Sequence, residues 1–273
     1  MNKKVQFAVI LGIGVLGLLY SLTKTITVFF SMHSAKSWMK KNPDKAVEFL
    51  NKAIKANPQL AEAYSQRGDI YLEKLELDKA LGDFDKAIGI NMQLANAYVG
   101  RGSVYGMKGE LDKAMESFNE AIHIDPQLSS AYEGRGRVYG QKKEFDPALE
   151  DFHQAIGLDP KNAKAFEGRG RIYGLKGEPD KALEDFNHAI ELDPKLSEAY
   201  AGRGIIFGQK RELDMAIKDF DRALQMNPKL SQAYLGRGIV YEQKGDYDKA
   251  LEDLDNTIKL NPGSTAAYDA RGR

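Results

Sequence analysis

The chain has 273 residues, with 39 basic and 39 acidic side chains and no cysteine. The first 41 residues contain six lysines and no acidic residue, so the remaining body carries a net charge of −6. A mildly acidic body argues against nucleic-acid binding, which needs a positively charged surface, and the lack of cysteine excludes disulfide bonds, thiolate metal sites and a cysteine nucleophile.

The first predicted element is an apolar helix at the N-terminus. Residues 5–22 contain no charged side chain and follow Lys3 and Lys4. Because about 20 apolar residues cross a bilayer core, the stretch predicts a single-pass anchor over residues 1–26 and a membrane localisation. A cleaved signal peptide and a buried core helix are the alternatives. The predicted membrane residues are Phe7, Val9, Ile10, Leu11, Ile13, Val15, Leu16, Leu18 and Leu19.

The flanking lysines bear on the orientation of the predicted anchor in the membrane. Lysines on the two sides of the apolar stretch nearly balance, so the positive-inside rule decides its orientation poorly. The pair at Lys3 and Lys4 favours an extracytoplasmic body.

The helix that contains the apolar stretch is predicted to continue into the body. No proline precedes Pro43, which predicts one continuous helix from about Lys4 to Lys41.

The rest of the chain is an internal repeat of 34 residues. Arg-Gly recurs seven times at this interval, first at Arg67-Gly68 and last at Arg271-Gly272. Alanines beginning at Ala80 and phenylalanines beginning at Phe84 follow the same interval. Self-similarity at a fixed period of this length is the signature of a repeat architecture.

Each repeat predicts two helices joined by a turn. Apolar residues fall at helical spacing in both halves of a repeat. Glycine in a Lys-Gly-Glu turn is predicted to stop the first helix, and an aspartate such as Asp180 is predicted to cap the second. Asp-Pro or Asn-Pro then ends the second helix, because the residue before proline avoids the helical conformation.

This pattern resembles the tetratricopeptide repeat family, on Tyr132, Gly136, Tyr139, Ala148, Phe152, Ala155 and Pro160 of one repeat. The resemblance implies an all-α fold, a right-handed α-solenoid of helix-turn-helix repeats that here follows an N-terminal transmembrane helix. The predicted domains are the anchor 1–26, a degenerate first repeat 27–60 continuous with it, six repeats over 61–264, and the start of a further helix at 265–273.

The sequence offers no candidate for catalysis or for cofactor binding. Gly134, Gly136 and Gly140 are spaced almost as in a dinucleotide fingerprint, but that fingerprint needs a preceding strand. Here the pattern lies inside a predicted helix and recurs every 34 residues. The glycines are therefore predicted to let neighbouring first helices approach closely, with a partner's backbone in the groove as the alternative. No histidine has the spacing of a metal ligand pair.

The arginine of each Arg-Gly pair is predicted to tie the repeats together. Aspartates recur on the second helices at the same 34-residue interval, as at Asp151, Asp185, Asp219 and Asp253. A charge-assisted Arg–Asp hydrogen bond would satisfy both groups at a partly buried junction.

Residues that differ between repeats are the candidates for recognition. The resemblance implies a concave groove lined by the second, fifth, ninth and twelfth residues of each repeat, and this is the usual binding face of a solenoid. Packing within the array is the alternative role of the same residues. The predicted partner-binding residues are Glu133, Arg137, Glu167 and Arg171, followed by the apolar Ala201, Ile205, Leu235 and Ile239.

The predicted function is a non-catalytic scaffold for protein–protein interaction, tethered to the bilayer and docking protein subunits of a membrane-associated complex. An enzyme and a cofactor are not expected. The alternative is a structural protein that self-associates through its C-terminal end, where the repeat stops at Arg273 without a capping helix.

Overall fold

A computed structural model describes the backbone of residues 3–272 and the side chains of residues 21–272. Within residues 3–272 the chain folds into α-helices joined by short turns, without a β-strand. The helices belong to two compact units, residues 1–126 and residues 127–273.

The helices of the first unit are α1 (Lys3–Trp38), α2 (Pro43–Ala56), α3 (Ala61–Glu73), α4 (Leu77–Ile90), α5 (Ala95–Met107) and α6 (Leu111–Ile124). Those of the second unit are α7 (Ser129–Gln141), α8 (Phe145–Leu158), α9 (Ala163–Leu175), α10 (Pro179–Leu192), α11 (Ser197–Gln209), α12 (Leu213–Met226), α13 (Ser231–Lys244), α14 (Tyr247–Leu260) and α15 (Thr265–Arg271). Odd-numbered helices are the first helices of the repeats and even-numbered helices are the second, so each pair is one repeat of the sequence pattern.

Helix α1 runs from Lys3 to Trp38 without a break between residues 23 and 30, as the absence of proline predicts. Its last turns pack against α2, where Ala35 and Leu50 are fully buried in one core cluster. The domain boundaries after residues 26, 60 and 264 stay a prediction.

The predicted membrane localisation is wrong. In the part of the chain that the structure describes, no helix combines the length and the apolar character needed to cross a membrane. The described half of α1 carries Lys24 and several hydroxyl groups, and Thr25 and Thr27 bond the helix backbone through theirs. The nine predicted membrane residues between Phe7 and Leu19 lie outside the residues whose side chains are described.

The second helices begin earlier than the aspartate pattern predicts. Asp180 is not the N-cap of α10: the cap position is Glu178, which makes no side-chain cap hydrogen bond, and Pro179 is the first helical residue. Proline suits this position because its fixed φ is helical and the missing N–H would be unpaired there anyway. Asp180 lies in the first turn, where its negative charge still favours the positive end of the helix dipole.

The second helices end at an Asp or Asn that bonds the following turn. Asp159 accepts a hydrogen bond from the backbone N–H of Lys161 at 3.0 Å, and Asn91 accepts one from Gln93 at 2.9 Å. This side-chain turn does not need the proline that usually follows. It explains why Met92, which replaces that proline, leaves the repeat intact.

The turns inside the repeats require a left-handed residue. Glycine supplies the positive φ at Gly109, Gly177 and Gly245, but the alternate turns place larger residues there, Leu75, Lys143 and Arg211, with φ of 59–62°. A side chain in this conformation costs roughly 1 kcal/mol or more relative to glycine. The turn geometry is thus imposed by the packing of the two helices that it joins.

The core of the array consists of phenylalanine rings held between glycines. Phe186 of α10 is 2% exposed, and its ring lies against Gly170 in α9 and Gly202 in α11. A Cβ atom at Gly202 would lie 2.5 Å from the ring carbon Cε1, far inside van der Waals contact. The same arrangement places a ring of the preceding second helix against Gly100, Gly168 and Gly236.

The glycine prediction is therefore right at one repeat position and wrong at another. The sixth-position glycines, Gly202 among them, make room for a second-helix ring rather than for a neighbouring first helix. At the twelfth position, a Cβ at Gly174 would lie 2.9 Å from Cδ1 of Ile206 in the next first helix. Close approach of first helices is thus a property of the twelfth position.

We expect Gly202→Ala to destabilise the second unit. The added methyl group would force the Phe186 ring from its place, and overpacking of this kind costs about 1–3 kcal/mol, only partly offset by a gain in helix propensity of about 1 kcal/mol. Urea unfolding followed by circular dichroism measures the change.

Gly82→Ala is the matched control. Gly82 lies inside α4, and no neighbouring atom comes within 4 Å of the place that an added methyl group would take. Alanine should therefore stabilise the helix by roughly 0.5–1 kcal/mol. Equal effects of the two substitutions would contradict the role assigned to the Phe186 ring.

Candidate protein-binding groove

An arginine–aspartate ladder connects the helices of each unit. In five repeats the Nε and Nη2 groups of the arginine donate to both carboxylate oxygens of the aspartate sixteen residues later, at 2.6–2.8 Å. These pairs confirm the predicted ladder: Arg67–Asp83, Arg135–Asp151, Arg169–Asp185, Arg203–Asp219 and Arg237–Asp253.

The third guanidinium nitrogen extends the ladder to the preceding repeat. Nη1 of Arg203 donates to Asn187 at 2.7 Å, and Nη1 of Arg67 donates to Asn51 at 2.5 Å. Each of these two arginines lies on a first helix and donates hydrogen bonds to the second helices on both sides of it. Side-chain packing and hydrogen bonding thus act at the same junction between repeats.

The ladder is weaker at Arg101. The aspartate position of this repeat holds Ser117, which accepts a hydrogen bond from Arg101 Nε at 3.1 Å, and the contact of Nη1 with Asp85 is 3.4 Å long. A bidentate bond to a carboxylate is replaced here by one bond to a neutral hydroxyl group.

The predicted charged residues form one network in the second unit. Arg137 of α7 bonds Glu133 one helical turn away and donates through Nη2 to Glu167 of α9 at 2.9 Å. Burial opposes the positive charge of Arg137, but the carboxylates of Glu133 and Glu167 outweigh it and raise its pKa. Arg171 is more loosely held, with 3.9 Å between its Nη1 and Glu167.

The predicted apolar residues are divided between core and surface. Ala201 is 2% exposed and belongs to a buried cluster, on which Ile205 packs. Leu235 packs against the cluster formed by α14 and α15. Ile239 is partly exposed and lies outside these clusters. Their assignment to partner binding stays a prediction.

The first unit contains a cavity at the corresponding groove positions. It has a volume of about 270 Å³ and lies between α3 and α5. Its lining includes the second, fifth and ninth residues of both repeats, which are Glu62, Ser65, Asp69, Asn96, Val99 and Ser103. The groove positions implied by the repeat pattern therefore face a common space in this unit.

Sequence comparison identifies the family. Two family models described as "Tetratricopeptide repeat" match the chain, one over residues 95–128, 163–196, 197–230 and 231–264 and the other over residues 38–60 and 129–162. Together these matches cover more than half of the chain. The chain belongs to the tetratricopeptide repeat family.

Solved structures share the tetratricopeptide fold at low sequence identity. The APC/C hetero-tetramer Cut9–Hcn1 matches with 17% identity and a TM-score of 0.76, over 94% of this chain and 55% of that chain, so this chain spans about half of its length. A tetratricopeptide repeat protein from Parabacteroides merdae matches with 20% identity and a TM-score of 0.65, over 90% and 98% of the two chains. PilF of Pseudomonas aeruginosa matches with 21% identity and a TM-score of 0.61, over 78% and 96%.

No curated protein sequence matches this tetratricopeptide chain significantly. Among its described residues there is no group of three or more His, Cys, Asp or Glu side chains that could hold a metal ion. The glycines of the fingerprint-like pattern lie within α7, not in a loop that could hold a phosphate group.

Sequence reasoning missed the cavity residues Glu62, Gln66 and Asn96. The repeat pattern assigns Glu62 and Asn96 to the groove as second-position residues, so that signal was present. Gln66 occupies the sixth position, where most repeats have glycine, and its place beside the cavity was not predictable from that pattern.

We expect Asp185→Asn to destabilise the array. Asp185 is almost fully buried, and the substitution replaces a carboxylate that accepts two bonds from Arg169. Leaving a buried donor poorly paired costs about 1–3 kcal/mol. Thermal unfolding measures the change. Asp78→Asn is the control: the Asp78 side chain is 91% exposed where it pairs with Lys108, so the substitution should change the melting temperature little.

Asp69 should make stability depend on pH in the opposite sense to an ion-paired carboxylate. Partial desolvation of its carboxyl group in the groove and, second, the nearby charge of Glu73 raise the pKa of Asp69 to about 6, although the residue itself is exposed. The folded state then binds the proton more tightly than the unfolded state, so stability falls as pH rises from about 4 to 6.

Asp69→Asn should therefore raise the melting temperature at pH 7.5, and the gain should shrink as pH falls through 6 and vanish near 4. Asp78, whose pKa is lowered by its hydrogen bond to Lys108, offers the contrast: Asp78→Asn should give no gain at neutral pH. A gain for Asp69→Asn that is independent of pH would refute the assignment.

Proposed function

We propose that the protein is a non-catalytic scaffold that binds a protein partner through the groove of its first helices. The observation that carries this proposal is that each repeat uses one set of residues for packing and another set at the groove. The residues shared by the repeats, such as Phe186 and Arg203, are used in packing and in the ladder. In the first unit, residues that differ between the repeats line the cavity between α3 and α5.

The groove of the second unit supports recognition of a mixed polar and apolar segment. Arg171 has 38% of its side-chain surface exposed and makes only a loose contact with Glu167. Ile239 follows two repeats further along the same set of positions. An acidic or carbonyl-rich group beside Arg171 and an apolar side chain beside Ile239 would complement this surface.

The variant Arg171→Gln/Ile239→Ser tests the proposal. Partners captured by the wild-type chain are identified by mass spectrometry, purified and titrated by calorimetry against both proteins. We expect the variant to bind at least tenfold more weakly while its melting temperature stays close to that of the wild type. Lys218→Gln, an exposed change on the second helix α12, is the control and should bind normally. Equal affinity of all three proteins would remove the groove as the binding surface.

Self-association is a second candidate, supported by apolar side chains on the last two helices. The exposed residues are Tyr247, Leu251, Leu260 and Tyr268 of α14 and α15. The equivalent of Leu251 in α12, Ile217, packs against a core cluster. Light scattering over a range of concentrations tests this candidate, and a constant monomer mass for the wild type would exclude it.

A further inference from the structure

The cavity between α3 and α5 has an unbalanced lining. Two of the side chains around it are acidic, Glu62 and Asp69, and none of them is basic. Within residues 21–272 neither carboxylate forms an ion pair. The neighbouring polar groups belong to Ser65, Gln66 and Asn96, so the cavity presents an excess of hydrogen-bond acceptors.

A second polar group beside the cavity also lacks a partner. The side-chain oxygen Oε1 of Gln66 is buried and accepts no hydrogen bond within the described part of the chain. A buried acceptor without a donor costs about 1–3 kcal/mol, and such groups are rare in folded proteins. A donor brought into this region would pair with the buried oxygen of Gln66 and with the carboxylates of Glu62 and Asp69, which are exposed to solvent.

The second unit shows which group satisfies groove carboxylates in this chain, there at the fifth repeat position. Arg137 occupies the ninth position of its repeat, as Asp69 does two repeats earlier. Its guanidinium bonds Glu133 on its own helix and Glu167 on the next first helix. The chain therefore supplies its own arginine to the groove of the second unit, whereas the cavity between α3 and α5 has carboxylates without one.

The shape and chemistry of the cavity suit a long basic side chain. Leu72, Leu94 and Val99 line it together with the polar groups. An arginine side chain buries its aliphatic stem on apolar surface and keeps its charged head among acceptors. Its planar guanidinium carries five donors, which matches several separate acceptors better than the compact ammonium group of lysine.

We propose that the cavity between α3 and α5 binds an arginine side chain of a partner protein, held by Glu62 and Asp69. The proposal rests on the proposed function in one respect, since it takes the occupant to be a protein segment. It concerns the first unit alone, so it can fail while partner binding in the groove of the second unit stands.

Methyl-group NMR of the full chain tests the proposal, because Leu72, Leu94 and Val99 place methyl groups at the cavity. The probe is the peptide acetyl-Ala-Ala-Arg-Ala-Ala-amide. Its control carries citrulline, which has nearly the same shape as arginine without the charge. We expect the arginine peptide to shift these three residues and the citrulline peptide to bind at least tenfold more weakly.

Two variants locate the interaction. Glu62→Gln/Asp69→Asn should weaken binding of the arginine peptide at least tenfold, whereas Glu120→Gln, an exposed neutralisation on α6, should leave it unchanged. Binding by the wild type should also weaken between pH 7.5 and 5, as Asp69 gains a proton. Methyl spectra of the double variant that match the wild type away from the cavity show that it is folded.

Several results would overturn the proposal. These are the absence of any shift at the highest soluble peptide concentration, equal binding of the arginine and citrulline peptides, and equal binding by the wild type and the double variant. Spermidine is a separate arm: if it binds the cavity as tightly as the peptide or more so, the site recognises free polyamines and not a protein segment. If the peptide fails while Arg171→Gln/Ile239→Ser still loses its partner, only the arginine site is refuted.

Discussion

The fold depends on one steric constraint, the fit of a phenylalanine ring between glycines of two successive first helices. The ring of Phe186 fills the space that a Cβ at Gly202 would occupy. The chain keeps the two residues matched in size. Where Leu50 and Leu254 replace the phenylalanine, the residue sixteen positions later is Gln66 or Ala270 and not glycine. Within each unit, each repeat is thus fitted to its neighbour, and each added repeat extends the core of that unit.

The ladder adds direction to this packing. Apolar contact alone tolerates sliding of one helix along another, but a bidentate Arg–Asp bond has a narrow geometry. Because the aspartates are almost fully buried, a shift of one helix against the other within a repeat would leave a charge unpaired in the core, which is strongly unfavourable. The ladder therefore fixes the register of the two helices of a repeat, and its third nitrogen adds a contact to the preceding repeat.

Much of the fold could be predicted from the sequence, because a 34-residue period imposes the same contacts many times. The helix pairs and the ladder followed from it, and the continuity of α1 followed from the absence of proline before Pro43. Asp180 was wrongly assigned as a cap because the repeat fixes spacing and not the entry into the helix, which Pro179 decides. The membrane prediction was read from apolar residues between Phe7 and Leu19, whose side chains lie outside the described part of the chain, whereas the described half of α1 is polar in part and packs on α2, and no described helix could cross a membrane.

The groove was less predictable than the fold. Repeat position indicated which side chains share a surface, yet not how deeply each is buried. Ala201 occupies a groove position but is covered by its neighbours, and Glu167 is almost fully buried beneath Arg137. The cavity is acidic because Asp69 has no cation near it among the described residues. Only the packed structure shows which charges have partners.

The turns inside the repeats alternate between glycine and a larger residue, so the array has a second period of two repeats. Leu75, Lys143 and Arg211 hold left-handed conformations that glycine would adopt without strain, and they recur every second repeat. Turns that store strain open more readily than their neighbours. Two of the three, Lys143 and Arg211, are basic residues in exposed loops, and trypsin-like proteases cleave after such residues. Cleavage at Lys143 and Arg211 would thus release residues 144–211, the four helices α8 to α11, a segment two repeat lengths long that begins and ends inside a repeat.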